Sequence, residues 1–286
     1  MNAPLKLGVF AVTLVAVFGA GAALGAAFGP DSADDRTDAP THGTHDEGYA
    51  LVPASRSLEE GTQELRFQIT DPSGRVVTDY DVEHEKELHL IVASRDLGSF
   101  EHVHPVRDAA GWWSVVLHDL RPGTSRVYAD FAVEDGPSLV LEHELTVPGN
   151  AVPRELPAPS TLAEIDGLRV ELDAADLAVG DSPATLRVTR GGSPVALQPY
   201  LGAGGHLVAI RADDMAYLHV HPTGDALGRG EVQFALEIAE AGPHRLFFDF
   251  QVDGVVRTAA FTVDVREAPH GDASDGEAPD EQGHGH

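Results

Sequence analysis

The feature that most constrains this chain is an internal repeat with a period of about 117 residues. The segment ELHLIVASRDLGSFEHVHP at residues 87–105 matches GHLVAIRADDMAYLHVHP at residues 205–222. Four positions align without a gap: His89 with His206, His102 with His219, His104 with His221, and Pro105 with Pro222. A second match, of RVYADF with RLFFDF, aligns Asp130 with Asp249. The chain therefore contains one structural unit twice.

Each copy has the sequence pattern of a β-protein. Short segments rich in β-branched and aromatic residues occur throughout, in the first copy LRFQI (65–69), LHLIVA (88–93), WSVVL (113–117) and RVYADF (126–131). Turn clusters such as Asp71–Gly74 and Arg121–Gly123 separate them. Several short strands within about 100 residues are typical of a β-sandwich. We therefore predict an all-β fold of two tandem immunoglobulin- or cupredoxin-like sandwiches.

The repeat and the composition around it divide the chain into segments. We predict a membrane anchor or signal peptide at residues 1–29, a flexible linker at 30–47, the first β-sandwich at 48–147, a proline-rich linker at 148–163, the second β-sandwich at 164–266, and a disordered, acidic, His-rich tail at 267–286.

The N-terminal segment predicts export. Leu7 to Phe28 is a run of 22 residues without a charge. As a helix it would reach roughly 33 Å, enough to cross a bilayer core of about 30 Å. Lys6 precedes it and an acidic stretch follows, an arrangement that places the bulk of the chain outside the cell. Cleavage after Ala20-Gly21-Ala22 is the alternative. The chain is therefore expected to be anchored in the cell membrane, or secreted if the segment is removed.

Charge and composition exclude several partners and sites. The formal net charge is −27, a field that repels nucleic acid and attracts cations. Lys6 and Lys86 are the only lysines, so the sequence has no polybasic patch for nucleic acid. The absence of cysteine excludes disulfides, thiolate-ligated metal and a lipoprotein anchor. The expected partners are a divalent metal ion, the membrane through the N-terminal segment, and a metal-handling membrane protein.

The histidines of each repeat are spaced so that their side chains converge. Side chains alternate along a strand, so His102 and His104 share one face. If Arg95–Gly98 forms a tight turn, pairing brings His89 opposite His102 or His104, with Cβ atoms about 5 Å apart. Neutral imidazoles at that separation can hold Zn²⁺ or Cu²⁺. An aligned aspartate on a later strand can be a fourth ligand, or an acceptor that orients an imidazole.

These observations predict one metal site in each repeat. The predicted ligands are His89, His102, His104 and Asp130 in the first repeat and His206, His219, His221 and Asp249 in the second. The predicted metal is Cu²⁺ or Zn²⁺, and Ni²⁺ also fits. The remaining histidines of the repeats have no histidine counterpart and are expected to be ordinary surface or edge residues: His84, His118, His143 and His244.

The quoted motifs resemble a group of exported two-repeat proteins of high-GC Gram-positive bacteria. Their pattern is a hydrophobic N-terminal segment followed by two HL…HVHP…DF units. The runs QPYLG (198–202), GHLV (205–208) and YLHVHP (217–222) carry the resemblance, which covers nearly the whole chain after the N-terminal segment. Some members are labelled heavy-metal associated, which implies metal handling. The repeats also resemble periplasmic copper-handling β-sandwich modules, although the Met-rich motifs of those modules are missing here.

The leading hypothesis is a non-enzymatic, extracytoplasmic protein that sequesters, buffers or delivers Cu²⁺ or Zn²⁺. The alternative is a structural or protein-interaction module of two immunoglobulin-like domains without metal. A metallohydrolase is a third option, since three histidines with an open position can activate water. No general base recurs in both copies, and the sequence contains no nucleophile elbow, P-loop, dinucleotide fingerprint or HExxH motif.

Overall fold

The computed structural model describes residues 47–174, 177–218 and 220–268, apart from the side chain of His221. The predicted anchor, nearly all of the linker that follows it, most of the C-terminal tail and His219 lie outside the described residues. Within the described part of the chain, no helix is long and apolar enough to cross a membrane.

The first repeat is a sandwich of two four-stranded antiparallel sheets. Its strands are β1 (Ala50–Pro53), β2 (Gly61–Thr70), β3 (His89–Ser94), β4 (Phe100–Val103), β5 (Val106–Arg107), β6 (Trp113–Leu120), β7 (Gly123–Ala132) and β8 (Ser138–Val147). One sheet has the order β1-β2-β6-β5 and the other the order β4-β3-β7-β8. All four segments predicted as strands in this repeat are strands.

The second repeat has the same two-sheet plan. Its strands are β9 (Leu162–Ile165), β10 (Leu168–Asp173), β11 (Gly180–Arg190), β12 (Ser193–Pro194), β13 (His206–Arg211), β14 (Tyr217–Leu218), β15 (Val220–Ala226), β16 (Glu231–Ile238), β17 (Gly242–Val252) and β18 (Val255–Val265). One sheet has the order β15-β16-β11-β10-β9, with β12 on β11, and the other the order β14-β13-β17-β18. A single 3₁₀ turn, Leu227–Arg229, precedes β16. The predicted tandem sandwich is confirmed.

Each repeat has its own hydrophobic core between its two sheets. In the first, Phe67 and Trp113 pack with Phe131; in the second, Phe234 packs with Phe248. Burial of each such ring contributes about 1.5–3 kcal/mol. The alternating pattern along β10, buried and exposed in turn, is that of a strand with one face on the core and one in water.

A third apolar cluster joins the two repeats. It contains Ile91, Ala93 and Tyr128 of the first repeat and Val208, Ile210 and Phe247 of the second. The ring of Phe100 stacks on that of Phe247 with centroids 4.0 Å apart. The Tyr128 hydroxyl donates a 2.6 Å hydrogen bond to the Met215 carbonyl. The sheets containing β3 and β13 therefore pack against each other across the junction of the repeats.

This packing determines which way the histidines face. Side chains alternate, so Leu90 and Val92 of β3 enter the core of their own repeat, while Ile91 and Ala93 face the second repeat. His89 is two residues before Ile91 and therefore lies on the same face of β3, the face toward the second repeat. By the same alternation, His206 lies on the face of β13 toward the first repeat. The histidine-bearing ends of the two strands meet at the junction.

Candidate metal centre

Three histidines of the first repeat converge on one point. In the β3–β4 pairing Ile91 lies opposite His102. The Nδ1 atom of His89 lies 3.2 Å from Nε2 of His102 and 3.2 Å from Nε2 of His104. One ligand nitrogen from each of the three rings lies within 4.8 Å of the other two. The structure thus brings these three predicted ligands together.

The tight turn between β3 and β4 makes this convergence possible. The Asp96 carboxylate accepts hydrogen bonds from the Ser94 hydroxyl, at 2.6 Å, and from the Gly98 amide, at 3.0 Å. Leu97 adopts a φ of 52°, in the left-handed region. An aspartate that bonds the backbone two residues further on is typical of such turns. The turn sets the register that places His102 and His104 beside His89.

Hydrogen bonds outside the cluster determine which ring nitrogens face inward with an unshared electron pair. Nε2 of His89 lies 3.1 Å from the Glu83 carbonyl, and Nδ1 of His102 lies 2.8 Å from the Asp249 carboxylate. Carbonyl and carboxylate oxygens only accept, so both nitrogens carry hydrogen. In the neutral rings, Nδ1 of His89 and Nε2 of His102 are then unprotonated and lie 3.2 Å apart. Two unshared pairs in contact repel unless a proton or a cation lies between them.

The separations match those of imidazoles around a tetrahedral ion. With metal–nitrogen bonds of about 2.0–2.1 Å, neighbouring ligand nitrogens lie about 3.4 Å apart and the ring centres about 5 Å apart. The ring centres of the three histidines are separated by 5.4, 4.9 and 4.9 Å. The rings are therefore arranged to hold an ion with little movement.

Burial keeps two of these imidazoles, those of His89 and His104, in the form that binds metal. Burial lowers the pKa of His89 to about 4, with a smaller contribution from His102. It lowers the pKa of His104 to about 3, with smaller contributions from His102 and His89. Both rings are neutral at pH 7, and metal ligation requires the neutral imidazole.

The two predicted aspartates are buried and contact the opposite repeat. Asp130 lies opposite His89 in the sheet, and Asp249 lies opposite His206. The Asp249 carboxylate bonds His102 of the first repeat and also accepts from the Thr258 hydroxyl. The Tyr217 hydroxyl donates a 3.4 Å bond to the Asp130 carboxylate. Asp249, expected to serve its own repeat, thus has the role of an orienting acceptor for the other one.

Of the predicted ligands in the second repeat, the structure describes the side chains of His206 and Asp249. Nε2 of His206 lies 3.0 Å from the Tyr200 carbonyl, six residues upstream, and His89 makes the same contact with Glu83. Burial lowers the pKa of His206 to about 4. Its ring centre lies 6.2 Å from that of His89. The described histidines of the two predicted sites therefore form one cluster at the junction.

Of the histidines expected to be ordinary surface or edge residues, His84 lies beside the cluster and His244 is buried. His84 is exposed, but its ring centre lies 5.1 Å from that of His206 and 6.1 Å from that of His89. His244 is only 1% exposed, and its Nδ1 donates to the Gly242 carbonyl. The expectation is wrong for His244, which is a buried residue of β17. Its place just before RLFFDF, two residues after the turn glycine Gly242, gave no sign of burial.

Comparison with known proteins identifies the repeat. The model of a domain of unknown function, DUF8832, matches residues 44–149 and again residues 163–267. No curated protein matches the sequence.

Solved structures share the all-β class at low similarity. InvD of Yersinia pseudotuberculosis is 12% identical over 78% of this chain, with a TM-score of 0.25, and this chain spans only 59% of its length. Invasin, described as a bacterial integrin-binding protein, is 16% identical over 77% of this chain and 38% of its own, with a TM-score of 0.24. The Ig1-2 module of the Drosophila receptor protein tyrosine phosphatase DLAR is 8% identical over 77% of this chain and 98% of its own, with a TM-score of 0.21. Likeness at this level carries no argument about function.

Proposed function

The chain belongs to the DUF8832 family, whose domain it contains twice, and we propose that it binds a divalent transition-metal ion through His89, His102 and His104. The observation that carries this proposal is the convergence of three ring nitrogens: Nδ1 of His89 lies 3.2 Å from Nε2 of His102 and 3.2 Å from Nε2 of His104. Hydrogen bonds from the far sides of the His89 and His102 rings hold these nitrogens toward one another, where a cation can take the place of a shared proton.

The ligand set favours Cu²⁺ or Zn²⁺. Three imidazole nitrogens suit both ions, whereas Ca²⁺ and Mg²⁺ require mostly oxygen ligands. The Asp249 carboxylate bonds the outer nitrogen of His102, an arrangement that fixes the tautomer of a metal-bound histidine and raises its basicity. A water molecule would complete a tetrahedral site.

The role we propose is metal sequestration, buffering or delivery outside the cytoplasm, without catalysis. The net charge of −27 raises the local concentration of cations. The uncharged N-terminal run and the resemblance to heavy-metal-associated exported proteins support export. A metal-handling membrane protein is the proposed recipient of the ion.

A second candidate function is a metal-free structural or interaction module. The 2.8 Å bond between His102 and Asp249 favours it, because this bond joins the two repeats and would stabilise their association without any ion. Without an ion, Nε2–H of His104 can donate a hydrogen bond to Nδ1 of His89. His102 carries a hydrogen on Nδ1, so it could also donate from Nε2 only as a doubly protonated imidazolium.

Metal content distinguishes the two candidates. The starting protein is the full chain with the five histidines of its predicted linker and tail changed to Ala, which we call the tail-silent chain: His42, His45, His270, His284 and His286. It would be exposed to equimolar Cu²⁺, Zn²⁺ and Ni²⁺, desalted, and assayed by mass spectrometry. We expect bound Cu²⁺ or Zn²⁺, loss of one equivalent in His104→Ala, and no loss in His118→Ala, a matched change at an exposed histidine. Lower stability of His102→Ala and His104→Ala with unchanged metal content would support the metal-free module.

A further inference from the structure

A second ion position adjoins the first. Resting on the proposed function, we propose that His84 of the first repeat and His206 of the second form an outer binding position for a divalent transition-metal ion, next to the inner position at His89, His102 and His104. The chain would then hold a pair of neighbouring ions across the junction of its repeats.

The ring separations divide the five described histidines into two groups. Within the inner group the ring centres lie 4.9 to 5.4 Å apart. The centres of His84 and His206 are 5.1 Å apart, which is again the spacing of two imidazoles on one ion. Between the groups the separations are larger: 6.1 Å for His84 with His89, 6.2 Å for His89 with His206, and 6.1 Å for His102 with His206. The ring of His84 thus lies closer to that of His206 than either ring lies to the inner group.

His206 is oriented for this role in the same way as His89. Its Nε2 hydrogen is donated to the Tyr200 carbonyl, which leaves Nδ1 with the unshared pair. Neither ring nitrogen of His84 has a hydrogen-bond partner among the described residues, so either one is available to an ion. Water molecules can complete the coordination, since His84 is exposed at the edge of the cluster.

The turn that carries His84 is strained. Residues 83–86 form a tight hairpin turn, in which the amides and carbonyls of Glu83 and Lys86 exchange hydrogen bonds of 2.9 and 3.0 Å. Its central residues, His84 and Glu85, have φ values of 47° and 66°, both in the left-handed region. Such values are uncommon for residues other than Gly, although Asn, Asp and His adopt them more often than most.

The second repeat contains the same turn without a histidine. Tyr200 and Ala203 exchange the equivalent hydrogen bonds, and Leu201 and Gly202 have φ values of 53° and 75°. Leu201 occupies the position of His84, so the turn folds with Leu there. The backbone of this turn therefore does not require a histidine, and only the first repeat has one at this position. His84→Leu consequently removes the proposed ligand while keeping a side chain that this turn already accommodates.

The test compares Cu²⁺ stoichiometry and magnetic coupling in three proteins: the tail-silent chain, its His84→Leu variant and its His118→Leu variant. We expect two equivalents in the tail-silent chain and in His118→Leu, with an electron paramagnetic resonance spectrum broadened by coupling between neighbouring ions. In His84→Leu we expect the second equivalent to bind at least tenfold more weakly and the broadening to disappear, while the first equivalent is retained.

Two outcomes would overturn the inference. One equivalent in the tail-silent chain, unchanged in His84→Leu, would exclude the outer position but leave the proposed function intact. Two equivalents with equal affinity in His84→Leu would show that His84 is no ligand. Binding of no ion would contradict the proposed function itself.

Discussion

Nδ1 of His102 lies 2.8 Å from the carboxylate of Asp249, and the two residues are 147 positions apart in the chain and belong to different repeats. Both side chains are only 5% exposed. The orientation of a histidine in the first repeat therefore depends on the second repeat being docked against it. The inner cluster belongs to the junction and not to one repeat.

Asp249→Asn should lower metal affinity about 10- to 100-fold, the usual effect of removing an acceptor that orients a metal-bound histidine. An amide can donate to Nδ1 of His102, which would move the ring hydrogen to Nε2 and block the ligand atom. Competition with a chromophoric chelator would measure the affinity. Asp264→Asn, at an exposed position of β18, is the control. Equal affinities in the two variants would contradict the orienting role.

The metal-free protein should lose stability as the pH falls. The pKa values of His89 and His104 are lowered by burial to about 4 and about 3, whereas an unfolded histidine titrates near 6.5. Between those values the unfolded state binds more protons, so stability is full above about pH 6.5 and decreases as the pH falls through the folded pKa values. Urea denaturation at pH 7.5 and pH 4.5 should differ by about 2 kcal/mol or more. His104→Leu should reduce the difference, and an unchanged pH dependence would argue against burial of the neutral ring.

The sequence predicts those contacts of this cluster that join residues close together in the chain, but not those that join distant residues. The meeting of His89 with His102 and His104 follows from strand alternation and one short turn, both of which are local. The contact of His102 with Asp249 requires the docking of two sheets, which no local pattern encodes. The position of His84 beside His206 was missed because its turn lacks the Gly or Asn that normally marks positive φ. His219 and His221 stay predictions as ligands, because the structure does not describe their side chains.

Phe247→Ala should test whether docking of the repeats supports metal binding. Phe247 is 3% exposed in the apolar cluster at the junction and stacks on Phe100. Its truncation should lower the free energy of unfolding by about 3–5 kcal/mol. We expect metal affinity to fall as well, although the ring is not a ligand. Phe67→Ala, in the core of the first repeat, is the matched control, and isothermal titration at a temperature where both variants are folded would compare them. Equal affinities would indicate that docking and binding are independent.

Glu85→Gly should stabilise the protein. Glu85 has a φ of 66° at the second central position of its turn, where the second repeat has Gly202. Removing the side chain relieves the left-handed strain, and the larger backbone entropy of unfolded glycine offsets part of that effect. The net increase in the free energy of unfolding should be about 0.5–1 kcal/mol. Thermal and urea unfolding would measure it. The opposite kind of change at the equivalent position of the second repeat, Gly202→Ala, should destabilise the protein. If Glu85→Gly destabilises it instead, the Glu85 side chain makes a contact that stabilises the fold by more than the strain costs.

The central claim is that the three histidines of the first repeat hold one ion, and anomalous diffraction at the metal absorption edge tests it most directly. Crystals of the tail-silent chain grown with Cu²⁺ or Zn²⁺ should show an anomalous peak about 2 Å from Nδ1 of His89, Nε2 of His102 and Nε2 of His104. The peak should disappear in His104→Ala. A peak that leaves these nitrogens uncoordinated, or no peak with the metal in excess, would contradict the account.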